Sequence, residues 1–141
     1  MTASALEARI RESFNRQTMM GTIGASLTVI EPGRVVIESP IPDGFRQQHG
    51  FAHGGLVFTL ADNAGGYAAI SALPPDHDVL TLELKINFLN PGGGRLIAEG
   101  RVVRAGRRAV VITSDVWAEN GAGERRHVAT AQGTMIPVTS T

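Results

Sequence analysis

The sequence predicts an α+β fold in which an antiparallel sheet wraps around one long central helix. Three observations predict it. From Gly54 to about Leu73 some twenty residues run without proline and are apolar or small nearly all round, which reads as a buried helix. Val79 to Phe88 then alternates with a period of two, placing Leu80, Leu82, Leu84, Ile86 and Phe88 on one side and Thr81, Glu83, Lys85 and Asn87 on the other, as a half-buried strand does. Finally, the turn signals that separate the last strands are too short for the crossovers that parallel strands need.

The remaining elements follow in chain order. Ser4-Ala-Leu-Glu7 has capping-box spacing, and Leu6, Ile10 and Phe14 recur every fourth residue, so a first amphipathic helix is expected from about residue 5 to 18, closed by Gly21. Residues 22–31 and 34–39 read as two strands around the turn Glu31-Pro32-Gly33. PIPDGFRQQHGFA is a loop. Pro74-Pro75 stops the long helix. Three more strands are expected at roughly 95–105, 108–118 and 126–137. Residues 1–141 are read as one domain with its core at about 22–138, and no internal repeat is evident.

Composition narrows the function classes. Thirteen Lys and Arg balance thirteen Asp and Glu, so no basic field points to nucleic acid or an anionic membrane. There is no cysteine, hence no disulfide, thiolate metal site or cysteine nucleophile. No stretch reads as a signal peptide or a membrane span, and a soluble cytoplasmic protein is expected. His49, His77 and His127 lack metal-ligand spacing. Pro91-Gly-Gly-Gly94 precedes a strand and lacks the lysine of a phosphate loop, and no GxSxG elbow is present.

Asp62 stands out because a carboxylate on an apolar helix, once dehydrated, needs a partner or takes a raised pKa, and a raised pKa suits a general base. A structural aspartate tied to backbone N–H groups or paired with an arginine is the competing reading. Gly54 and Gly55 open the same helix, where uncovered N–H groups and the helix dipole favour developing negative charge, as an oxyanion hole requires. A tight loop-to-helix turn would use the same two glycines. His53 could donate to a substrate or fix the loop. Gly55 and Asp62 are seven residues apart, roughly 10 Å along a helix, too far to grip one carbonyl together. Two antiparallel copies of the helix about a two-fold axis would instead pair each start with the other's Asp62. The Gly65-Gly66 pair costs about 1 kcal/mol per residue against alanine, which close approach of the sheet or of a ligand would explain. Arg104, Arg107 and Arg108 flank a hairpin and could meet phosphates.

The pattern His53-Gly54-Gly55 followed by Asp62, the continuation DNAGGYAA, and a strand ending Ile86-Asn-Phe-Leu-Asn-Pro91 resemble the hotdog-fold acyl-CoA thioesterases of the PaaI-like, phenylacetate-degradation type, over roughly residues 45 to 137. The resemblance implies a long helix wrapped in an antiparallel sheet, assembly into dimers and often tetramers, and hydrolysis of acyl-coenzyme A with no metal or bound cofactor. It implies that Gly54 polarises the thioester carbonyl, that Asp62 is the base or nucleophile, and that Thr81 helps hold the attacking water. Gln47 falls where many members carry asparagine and is one methylene longer. Arg104, Arg107 and Arg108 are then the expected contacts for coenzyme A phosphates. Two rivals are a hotdog acyl-thioester hydratase or dehydratase, for which His53 would be the proton-transfer group, and a non-catalytic acyl-CoA-binding protein.

Overall fold

Leu6, Ile10 and Phe14 are all buried along one side of α1 (Ala3–Arg16) in the computed structural model, which describes residues 2–139. The helix begins earlier than the Ser4-to-Glu7 spacing suggests, because Thr2 is its N-cap and its hydroxyl accepts from the Ala5 N–H at 3.1 Å. Ser4 therefore lies within the first turn. Gly21 does not close the helix either. Gln17 interrupts it, Gly21 sits inside a second helix, α2 (Thr18–Ile23), and Gly24 ends that one with φ of 82°. Glycine adopts this left-handed conformation without steric cost. The first strand accordingly starts at Ser26, not at residue 22.

The strands are β1 (Ser26–Glu31), β2 (Arg34–Ser39), β3 (His77–Phe88), β4 (Arg95–Ala105), β5 (Val110–Glu119) and β6 (Arg125–Thr139), with the long helix α3 (Gly54–Ser71) between β2 and β3. They form one antiparallel sheet in the order β1-β2-β4-β5-β6-β3. α3 ends at Ser71, three residues before Pro74, and lies across the sheet against β4, β5, β2 and β3. Leu56, Leu60, Ala61, Ala64 and Ala68 fill the space between them.

Helix and sheet meet most closely at the middle of α3. A Cβ added to Gly100 on β4 would lie 2.2 Å from the Ala64 carbonyl oxygen, so the two backbones touch there with no room for a side chain. A Cβ on Gly65 would meet Ile112 at 2.5 Å, and the buried Ser114 hydroxyl donates to the Ala61 carbonyl at 2.8 Å. Gly65 thus serves sheet approach. Its neighbour Gly66, whose Cβ would meet nothing nearer than Val79 at 4.0 Å, lines a cavity instead.

β3 corrects the simple alternation. Thr81 pairs with Met135 and Glu83 with Thr134, so Leu82 is an extra residue, a β-bulge. A one-residue insertion exchanges the faces of everything beyond it. Val79 and Thr81 face the helix before the bulge, and Leu84 and Ile86 after it. Leu80 and Leu82, which alternation places with the core, are 63% and 65% exposed. β3 is an edge of the sheet, and its outer side is open.

The opposite face of the sheet has another character. It carries paired charges, including Arg34 with Glu99 at 2.8 Å and Arg95 with Glu38 at 2.9 Å. Among the described residues no helix is long and apolar enough to cross a membrane.

Gly100→Ala should destabilise the protein by about 1–3 kcal/mol or prevent folding, because the clash is with backbone. Gly66→Ala should leave the melting temperature unchanged or raise it, since a helix interior prefers alanine. Thermal melts of the two variants side by side test whether the approach is confined to the Gly100 and Gly65 contact.

Candidate functional site

α3 is not buried all round. Gly55 and Phe58 are exposed and Thr59, Asp62, Asn63 and Gly66 half-buried, at the three- and four-residue spacings of one helical stripe. The stripe looks apolar in sequence because glycine and phenylalanine supply half of it, yet it faces away from the sheet. Asp62 is therefore half-buried, not sealed in the core.

Thr81 comes to Asp62 because the Leu82 bulge turns it inward. Its hydroxyl donates to Asp62 Oδ1 at 2.7 Å and lies 3.3 Å from Met135 Sδ. Among the described residues Asp62 has no basic partner. The carboxylate opens on a cavity of about 230 Å³ whose other walls include Gly66, Tyr67, Ile70 and Val79. A carboxylate oriented by one hydroxyl, with lone pairs free toward a cavity, can accept a proton from water.

The start of α3 is organised differently from a bare pair of glycine N–H groups. His53 is the N-cap, and its ring Nδ1 accepts from the Gly55 N–H at 2.8 Å. Leu56 and Val57 donate to the His53 carbonyl. Gly55 is thereby withdrawn as a donor, because the preceding side chain reaches it first. Among the described residues the Gly54 N–H makes no hydrogen bond. The His53 ring must be neutral with its proton on Nε2 to accept in this way. It fixes the turn, one of its two expected uses.

Gln47 joins Gly54 along a second cavity, of about 340 Å³, with Phe51, Phe88 and Pro91. Its Oε1 accepts from the His49 N–H at 2.6 Å and the Phe51 N–H at 3.3 Å. The extra methylene lets the carbonyl reach back into its own loop, and the amide nitrogen is left to donate. One chain thus places Gln47 with Gly54 and Thr81 with Asp62, each pair at a different cavity.

The other candidates lie apart from both. Arg104, Arg107 and Arg108 are exposed around the β4–β5 hairpin, line neither cavity, and make no ion pair among the described residues. His127 bonds Asp115 at 2.8 Å and stacks on Trp117 with ring centroids 4.2 Å apart, and His77 bonds Asp76. No group of three or more His, Asp or Glu placed to hold a metal occurs among the described residues. Sequence reasoning missed Ser13, Gln17 and Tyr67, which line the Asp62 cavity. The available signal was Tyr67, the one tyrosine of the chain, in a helix of small residues.

A long helix laid across a six-stranded antiparallel sheet is the architecture of a hotdog protein. The model of the thioesterase superfamily matches residues 49–124, and the chain belongs to that family of thioester hydrolases. A thioesterase family protein from Silicibacter pomeroyi is 40% identical, with 96% of this chain and 99% of that one covered and a TM-score of 0.92. A Streptococcus mutans protein whose structure holds acetyl CoA is 33% identical, covering 82% and 90% with a TM-score of 0.71. The E. coli PaaI protein, from the phenylacetic acid degradation operon, has the same fold at 22% identity, with coverage of 100% and 99% and a TM-score of 0.86. The chain spans 59% of the length of one curated relative, a Saccharolobus solfataricus protein 39% identical over 84 residues, which are 59% of this chain.

His53→Ala should lower stability by about 1 kcal/mol through loss of the cap, and His53→Asn should retain most of it, because asparagine is itself a good N-cap. Urea unfolding of the three proteins measures this. Equal stability of the alanine and asparagine variants would mean that the ring acceptor does not support the turn.

Proposed function

We propose that this protein hydrolyses the thioester of an acyl-coenzyme A to a carboxylic acid and coenzyme A, in composite sites built by two copies of the chain. The carrying observation is the division of the chemistry between two cavities: the free Gly54 N–H opens on one, and Asp62 with Thr81 on the other. Their separation along one rigid helix keeps them from meeting in a single chain. The exposed stripe of α3 and the open β3 edge, with Leu80, Leu82 and Phe88 exposed, are the surfaces that pairing about a two-fold axis would cover. The acetyl CoA held by the Streptococcus mutans relative supports the choice of thiol.

In this reading the acyl carbonyl oxygen accepts from the Gly54 N–H and from the Gln47 amide of one copy. Asp62 of the other copy takes a proton from a water that Thr81 helps to hold, and the hydroxide adds to the carbonyl carbon. The tetrahedral oxyanion sits at the helix start, where the dipole and the two donors favour negative charge. It collapses with loss of the coenzyme A thiolate, which the protonated Asp62 or water neutralises. Arg104, Arg107 and Arg108, free of acidic partners among the described residues, are the proposed contacts for the coenzyme A phosphates. Engagement of His53 Nδ1 by the Gly55 N–H favours this reading over a hydratase in which that ring moves protons.

Wild-type protein given a panel of acyl-CoAs should release thiol, and Asp62→Asn should lower turnover by about 10² to 10⁴ with binding nearly intact. Its melting temperature should change little, since the amide oxygen can still accept from Thr81. Loss of enoyl absorbance without thiol would instead mean a hydratase.

Mixed dimers test the composite site. Gly54→Pro removes the free N–H at the first helical position, where proline is accepted, and the extended His53 (ψ of 142°) suits a following proline. Each of Gly54→Pro and Asp62→Asn alone should be nearly inactive. In mixed dimers one site carries both lesions and the other carries none, so random pairing should restore roughly a quarter of all sites. Background activity in verified mixed dimers of folded variants would put donor and base in one chain.

A further inference from the structure

The backbone at position 54 does not require glycine. Gly54 is not among the residues with positive φ, and as the first residue of α3 it takes a conformation open to any side chain. What excludes a side chain is Phe88. A Cβ added to Gly54 would lie 3.3 Å from Phe88 Cζ, 3.5 Å from Cε1 and 3.8 Å from Cε2, so the tip of that one ring stands where a side chain would be. The neighbouring Gly55 is covered by another ring, with His53 Nδ1 3.1 Å from the added atom. The two rings differ in chemistry: His53 accepts the Gly55 N–H, whereas a phenyl tip offers the Gly54 N–H no acceptor.

Phe88 is carried there by its strand. Leu84 and Ile86 face the helix beyond the bulge, and Phe88, the last residue of β3, continues that alternation. It pairs with Ala129, and Leu89 donates to the Val128 carbonyl at 2.7 Å. The Asn90 side-chain amide donates to the His127 carbonyl at 2.9 Å, so the end of the strand is tied to β6. The ring is nonetheless 55% exposed and lies outside the core, which makes it a poor contributor to folding. No Asp, Glu, Lys, Arg or His lines the cavity of about 340 Å³ that it shares with Gly54 and Gln47. On such an uncharged wall a backbone donor counts for more the less water reaches it.

We infer that Phe88 is a positioning residue for hydrolysis: its ring shuts water out from the flank of the Gly54 N–H and leaves that donor open only toward the cavity. The inference rests on the thioesterase reading for the carbonyl that the donor meets, and the shielding is tested without any substrate. Pairing of two copies along β3 would cover the open side of the ring and complete the enclosure.

In assigned NMR spectra the Gly54 amide should exchange with solvent about fivefold or more faster in Phe88→Ala than in wild-type protein, with Phe88→Leu between them. A double-mutant cycle tests the packing. Gly54→Ala should change the melting temperature more favourably, by about 2 °C or above, in the Phe88→Ala background than in wild type, because the new methyl then meets open space. With hexanoyl-CoA and phenylacetyl-CoA as probes, Phe88→Ala should lower kcat about 10- to 100-fold with KM changed less than about threefold, and Phe88→Leu should recover most of that loss.

Loss of kcat together with faster exchange supports the inference. Unchanged exchange, an additive melting cycle, or a loss of kcat that higher protein concentration restores, as dissociation of the copies would cause, each overturns it. Thiol release by wild-type protein with kcat unchanged in Phe88→Ala removes the ring from the reaction and leaves the thioesterase reading standing. If wild-type protein releases no thiol from any acyl-CoA, the thioesterase reading falls, and the exchange and melting comparisons still decide whether the ring shields the donor.

Discussion

The contact of Gly100 on β4 with the Ala64 carbonyl of α3 is the constraint on which the rest of the molecule depends. Backbone against backbone leaves no side chain to act as a compliant spacer, so the height of the helix above the sheet is set by van der Waals radii. Gly65 and the Ser114 hydroxyl hold the same segment from β5. Asp62 lies within that segment, two residues before Ala64, and its relation to Thr81 on β3 inherits that precision. A carboxylate and a hydroxyl on two different elements meet at 2.7 Å because the elements themselves are pinned nearby.

Rigid placement also keeps the Gly54 N–H and Asp62 apart within one chain. A straight helix anchored at its middle presents its N-terminus and its Asp62 flank as two fixed points, each opening on its own cavity. No rotamer change brings them together. The capping histidine sharpens this arrangement by taking up the Gly55 N–H, so that among the described residues the helix start keeps one unengaged backbone donor, Gly54, on the cavity that Gln47 also lines. The loop that carries Gln47 is held by that residue's own carbonyl, through His49 and Phe51.

Much of this was legible in the sequence, for identifiable reasons. Proline-free apolar length announced α3, and paired turn signals announced the late hairpins, because both depend on local residue type. The Gly65-Gly66 pair was legible as a close approach, but only geometry divides it into one glycine for the sheet and one for the cavity. Helix starts were misplaced where capping chemistry is ambiguous: Thr2 and Ser4 are equivalent caps on paper, and Thr2 has the better position. The open flank of α3 was hidden because Phe58, Gly55 and Gly66 count as apolar or neutral whether or not anything covers them. Ser13 and Gln17 escaped notice because they meet Tyr67 only through tertiary contacts that reach across about fifty positions of the chain.

The bulge in β3 makes the site depend on counting as much as on chemistry. Leu82 is exposed and outside the core, and many residues could stand in its place with Thr81 still turned toward Asp62. Its presence as one extra link decides which way its neighbours face. Loss of that single link would bring Thr81, Val79 and the residues before them onto the opposite parity, pointing the hydroxyl out to solvent with Asp62 and Thr81 both still in the sequence. In this strand, a deletion and a substitution at the same position are different kinds of event: one changes a side chain, the other reverses a face.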